Sequence, residues 1–161
     1  MKKFIIQTVL LILVIAIAFF VYRANPSVSN LPFVPAATVF REVQINNAKL
    51  KVEVADTAEK RSQGLGGRQS LGQDEGMLFV FPSPGTHAFW MKGLTFPLDF
   101  IWIRGGKVID LTPNVPPPAS GQPDSTLPIY QPKQDVDKVL EVNGGTIQRL
   151  NIKVGDMIKT Q

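Results

Sequence analysis

Gly76-Met-Leu-Phe-Val-Phe-Pro-Ser-Pro-Gly-Thr-His-Ala-Phe-Trp-Met-Lys-Gly-Leu-Thr-Phe-Pro-Leu-Asp-Phe-Ile-Trp-Ile-Arg104 is the stretch whose reading decides the fold. Its apolar residues fall in short runs separated by Pro and Gly, which predicts successive core strands with tight connections and no long amphipathic helix. The expected strands are Gly76 to Phe81, His87 to Met91 and Pro97 to Arg104. The stretch also holds the only His and both Trp of the chain, so a functional site is sought here first.

Downstream, Gly105-Gly106 between Ile103 and Val108 is a two-residue hairpin signal, with Lys107 to Leu111 as the return strand. Thr112 to Lys133 contains seven prolines and is read as a long loop, because proline cannot donate to a sheet ladder. Lys138 to Val142 resumes as a strand, Gly144-Gly145 turns, Thr146 to Leu150 makes one helical turn, and Met157 to Lys159 closes the domain. Asn151 suits a left-handed cap between the last two.

Upstream, Val43 and Ile45 alternate with polar residues, Asn46-Asn47 offers a turn, and Leu50, Val52 and Val54 alternate again, which is a hairpin. Asp56 with Glu59 three residues on fits a capping box for a short polar helix, stopped by Gly64, Gly66 and Gly67 with Leu65 turned inward. The fold class expected is mainly β with one or two short helices, a small antiparallel sandwich or barrel-like domain spanning residues 39–161.

Two segments precede it. Phe4 to Tyr22 is apolar apart from Gln7 and Thr8, and as a helix of about 1.5 Å rise per residue it would be roughly 28 Å long, close to the hydrocarbon thickness of a bilayer. No small-residue cleavage site follows Phe19-Phe20-Val21-Tyr22, so residues 1–23 are read as an uncleaved signal-anchor and 24–38 as a proline-containing tether. Lys2 and Lys3 before the span, against Arg23 alone after it, place the N-terminus in the cytoplasm and the domain outside, in a single-pass arrangement.

Composition narrows the chemistry. Without Cys there is no disulfide framework, no thiol nucleophile and, with one His, no zinc site of the usual kind; no metal and no cofactor are expected. The net charge of +4 falls to +1 once Lys2, Lys3 and Arg23 are set aside, so a nucleic-acid partner is not expected either. His87 and Met91, with Met77, could in principle offer soft ligands to a cuprous ion, although apolar packing explains the methionines as well.

The ordered set VADT-AEKRSQGL, EGMLFVF, AFWMK, PLDFIWI, KVI, VLEVNGG and IKVGDMI resembles the uncharacterised bacterial and archaeal domain of unknown function 192 (DUF192) over about residues 40–160. The resemblance implies a compact, mainly β domain with a short helix, often behind a signal peptide or anchor, and brings no established activity. This chain departs from the family pattern at Gly66, where Met is usual, and at Gly93-Leu94, where Asn and Thr are usual.

Candidate site residues follow from chemistry out of place. Asp99 sits within the apolar PLDFIWI, where a charge needs a partner, and an ion pair with Arg61, Arg68 or Lys92 is the structural account. Trp90, Lys92, Asp99, Arg61 and Tyr130 together suit a groove for a small molecule, glycan or peptide, partly covered by the proline-rich loop. The expected function is a membrane-tethered accessory or ligand-binding domain outside the cytoplasm. The alternatives are an envelope hydrolase using Asp99 or Glu75 with His87, and a structural module that binds another protein.

Overall fold

A computed structural model of the chain describes Gln7, residues 10–17, Phe20 and residues 38–161. The expected anchor and tether therefore lie largely outside the described residues; within them, 10–17 are helical with exposed apolar side chains such as Leu10 and Ile15. Among the described residues no helix is long and apolar enough to cross a membrane.

Residues 38–161 form a separate compact unit, mainly β. Its strands are β1 (Phe40–Ile45), β2 (Ala48–Ala55), β3 (Glu75–Gly85), β4 (Leu98–Arg104), β5 (Lys107–Val115), β6 (Val136–Asn143) and β7 (Ile158–Thr160). Helix α1 (Ala58–Gln63) lies between β2 and β3, α2 (Thr146–Arg149) lies between β6 and β7, and Asp124–Thr126 makes a 3-10 turn. All seven strands belong to one sheet, in the order β5-β4-β6-β3-β2-β1-β7.

The sheet curls until its edges meet. Gly106 and Val108 at the start of β5 exchange backbone hydrogen bonds with Gly155, Asp156 and Ile158 at 2.8–2.9 Å, and Lys107 bridges Met157. The result is a half-barrel, a single curled sheet instead of two stacked ones, whose edges meet only at the start of β5. One pair, β2 with β3, is parallel. The all-antiparallel expectation fails there because the connection through α1 is long enough to return the chain to the same end of the sheet.

Strand alternation sorts the apolar residues into two cores. Leu78, Ile101, Leu140 and Val142 point into the barrel, joined by Val43, Ile45, Leu50 and Val52 and closed by Ile147 and Ile152. Phe79, Phe100, Trp102 and Val139 point outward from the central strands and are covered by a second layer, with Leu65, Phe89, Met91 and Leu94 in it. Central β4 is consequently buried on both faces, all six residues from Leu98 to Ile103.

That layer corrects the reading of His87 to Met91. The segment is apolar because it packs on the sheet from outside, and its only β pairing is the Phe89–Tyr130 bridge to the proline-rich loop. The loop itself starts later than expected, since β5 continues through Pro113 to Val115, tolerated at a strand on the edge of the hydrogen-bonded order. Helix α1 begins from Thr57, whose hydroxyl accepts from the Lys60 amide at 3.2 Å; Asp56 instead pairs with the Lys60 ammonium, also at 3.2 Å. Asn46, Gly105, Gly106 and Asn151 all have positive φ, as the turn assignments require.

Candidate functional site

The outer layer does not cover the sheet completely. A cavity of about 520 Å³ remains between the sheet, the end of α1 and the segment around Trp90. Phe79, Phe81, Phe89, Leu65 and Leu94 supply its apolar walls. Arg61 and Gln63 come from α1, Trp90 and Lys92 from the segment before β4. Besides Phe79 and Phe81 of β3, the sheet contributes Glu141 of β6.

The walls are held in place by ring packing. Phe89 meets Phe79 edge-on at 4.9 Å between centroids and Trp102 at 5.6 Å. Phe81 carries His87 stacked at 3.5 Å, with the Arg61 guanidinium 5.4 Å from the same ring centre. Offset and edge contacts of this kind fix ring orientation as well as burying area.

Three glycines make one wall thin. The Gly67 amide donates to the Gly93 carbonyl at 2.8 Å, and a Cβ on Gly66 would lie 3.3 Å from the Lys92 carbonyl oxygen. Gly66 and Gly93 therefore fall side by side on this cavity. Gly93 has φ +69°, a region in which Asn is the side chain best tolerated.

The cations at the cavity are engaged elsewhere. Arg61 donates to the carbonyls of Asp56 and Val80 at 2.8 and 2.9 Å. Lys92 pairs with Asp124 of the proline-rich loop at 2.7 Å and lies 5.3 Å from the centre of the Trp90 ring. That ion pair ties the loop to the cavity's edge, although both partners are exposed and the pair adds little stability.

Glu141 is different. It is 4% exposed, its carboxyl opens only on the cavity, and among the described residues it has neither a hydrogen-bond nor an ion-pair partner. Its register neighbours are Met77 on β3 and Phe100 on β4. Burial alone pushes its pKa up to about 8, so it holds its proton at neutral pH. One step further along the same row, Glu53 faces Met77 from the other side and is bound by Arg68 through both guanidinium nitrogens, one contact at 2.8 Å. The Arg68 hydrogen bond holds the Glu53 carboxyl below its usual range. Two carboxyl groups on one face thus end up in opposite ionisation states.

Of the residues expected from sequence, Arg61, Trp90 and Lys92 meet at the cavity. Asp99 does not join them. It is fully buried and forms no ion pair with Arg61, Arg68 or Lys92; its carboxylate accepts from the amides of Asn114, Gly145 and Ile147 at 2.7, 3.1 and 2.7 Å. Tyr130 belongs to the proline-rich loop and lines a separate small cavity of about 100 Å³. Glu75 closes a turn by accepting from the Gly72 amide at 3.2 Å, and His87 lies 3.3 Å from the Ser83 carbonyl; neither lines the larger cavity. Glu141, which sequence reasoning passed over inside VLEV, completes it. The signal was a lone acid among apolar residues, the same signal that drew attention to Asp99.

Structural comparison finds this fold in a protein from Sinorhizobium meliloti 1021 described as a "putative transcription regulator", 29% identical, with a TM-score of 0.69 over 78% of this chain and 96% of that one. A protein of unknown function from Novosphingobium aromaticivorans DSM 12444 is also 29% identical, with a TM-score of 0.65 over 80% of this chain and 89% of that one. No curated protein matches the chain. The model of DUF192, described as "Uncharacterized ACR", matches residues 41–160, well over half of the sequence, and the chain belongs to that family.

Proposed function

We propose that residues 39–161 are a ligand-binding module for a small molecule with an apolar or aromatic body, held outside the cytoplasm by an N-terminal membrane anchor. The cavity that gathers Arg61, Trp90 and Lys92 around aromatic walls carries the binding half of this reading. Its volume falls within the range of about 300–1,000 Å³ typical of small-molecule sites. Trp90 is half exposed at its edge, where an aromatic face is available to a ligand. A hydrolase built on Asp99, Glu75 and His87 is less well supported, because Asp99 spends both oxygens on backbone amides and the other two lie off the cavity. The near-neutral charge of the domain gives no support to nucleic-acid binding.

Ala88 tests the binding half, since it lines the cavity yet is exposed. Fragment screening by amide chemical shifts is expected to move Gly66, Gly67, Gly93 and the Trp90 indole together, and Ala88→Trp to abolish those shifts while leaving the unfolding midpoint nearly unchanged. Hits that bind Ala88→Trp undiminished count against the cavity. The anchor is supported by the exposed apolar helix at residues 10–17 and by Lys2 and Lys3 before it. A reporter fused after Gln161 is expected to be active only outside the cytoplasm; cytoplasmic activity overturns that half.

A further inference from the structure

We infer that Glu141 selects the ligand of this cavity, meeting its buried end as a hydrogen-bond donor and admitting an uncharged acceptor, such as an amide or ketone carbonyl, ahead of a cation. The inference rests on the small-molecule reading above and adds the chemistry of the head group.

The argument starts from what could have paired with Glu141. Arg61 from α1 is engaged by two carbonyls, Lys92 by Asp124, and Arg68 by Glu53. His87 lies off the cavity, stacked on Phe81. None of these bonds the Glu141 carboxyl, which faces Met77 and Phe100 across the sheet and Phe79 and Phe89 in the cavity. An ionised carboxylate in such surroundings is costly, and taking up a proton removes the cost.

Asp99 shows what the same fold does with an acid it keeps as an acceptor: three backbone amides converge on it. Glu141 receives none. A protonated carboxyl has one O–H to give, and no protein acceptor takes it among the described residues. A ligand acceptor entering the cavity would satisfy that donor without moving a proton or separating charge. A ligand cation would first have to pass Arg61 and Lys92 and then displace the proton. Both terms favour the acceptor.

Benzamide and benzamidinium form a matched pair for the test, being nearly isosteric, with a carbonyl in one and a permanent cation in the other over the pH range used. Binding to the full-length chain in detergent is followed at pH 6.5 and 9.5 by isothermal titration calorimetry, with amide shifts of Gly66, Gly67 and Gly93 locating the site at pH 6.5. Benzamide is expected to bind more tightly than benzamidinium at pH 6.5 and to weaken at least tenfold by pH 9.5, where Glu141 has ionised. Glu141→Gln, which donates but does not ionise, is expected to flatten that profile, and Glu141→Leu, which cannot donate, to weaken benzamide at least tenfold at pH 6.5. Preference for benzamidinium, with affinity rising with pH, makes the carboxylate a counter-ion and overturns the inference while leaving the cavity as a site. A pH profile unchanged in Glu141→Gln overturns it too. If neither probe moves those amides in the wild type, the small-molecule reading falls with it.

Discussion

Asp99→Ala is expected to destabilise the domain by about 3–5 kcal/mol, lowering the thermal midpoint by roughly 10–20 °C. The expectation follows from where its oxygens go. Oδ1 accepts from Asn114 and Gly145, and Oδ2 from Ile147 in the first turn of α2. The N-cap residue of that helix, Gly145, has no side chain with which to cap it, so a strand residue 46 positions earlier does so. Removal leaves three amides without this acceptor, that of Ile147 buried and those of Asn114 and Gly145 part-buried. Asp99→Asn retains one oxygen and should lose about half as much. Urea denaturation of wild type and both variants checks the order; a loss under about 1 kcal/mol for the alanine variant would mean that other acceptors replace the carboxylate.

Glu141→Gln should act in the opposite direction, and only at higher pH. Burial raises the folded-state pKa from the ordinary 4.5 to about 8. Below about pH 4.5 both folded and unfolded chains are protonated there, and the residue contributes no pH dependence. Between about 4.5 and 8 the unfolded chain releases the proton and the folded one keeps it, so stability falls as pH rises. Above about 8 the folded form ionises as well and the loss levels off, at on the order of 4 kcal/mol. The glutamine variant escapes this loss and is expected to exceed wild type by roughly 2–4 kcal/mol at pH 8.5, with little pH-dependent advantage at pH 4.5. Unfolding free energies of both proteins across that range give the difference directly, and other titrating groups cancel in it. A difference independent of pH would show that Glu141 titrates normally. A side chain that costs the fold this much, and faces a cavity, is consistent with selection for binding over stability.

Local chemistry made part of this structure readable in advance. Asn46, Gly105 and Gly106 take positive φ at the turns that mark their hairpins, and Gly64 stops α1. What stayed hidden is non-local. Strand alternation assigns a residue to a face but does not say whether that face is covered, and here the outer face is covered by Leu65 and by Phe89 to Leu94, which cross it without being strands. His87 to Met91 therefore looked like a strand because burial, not pairing, sets its composition. The same limit separates Asp99 from Glu141. Each is a lone acid in an apolar strand, and only the backbone converging on one and the cavity opening at the other distinguish them. The parallel β2–β3 pair was likewise invisible, since nothing in either strand records the direction of its neighbour.

The meeting of the sheet's two edges sets a constraint on the order of events during synthesis. β1 gains its second neighbour only when Ile158 pairs with Ile45, about 110 residues later in the chain. Until then β1 has a bare flank and the start of β5 lacks its bonds to Gly155 and Ile158. A nascent chain can form the β1–β2 and β4–β5 hairpins as they emerge but cannot seal the barrel interior before β7 has been made. The last strand to be made is thus the one that closes the interior, and until it forms the flank of β1 stays open to other pairing partners.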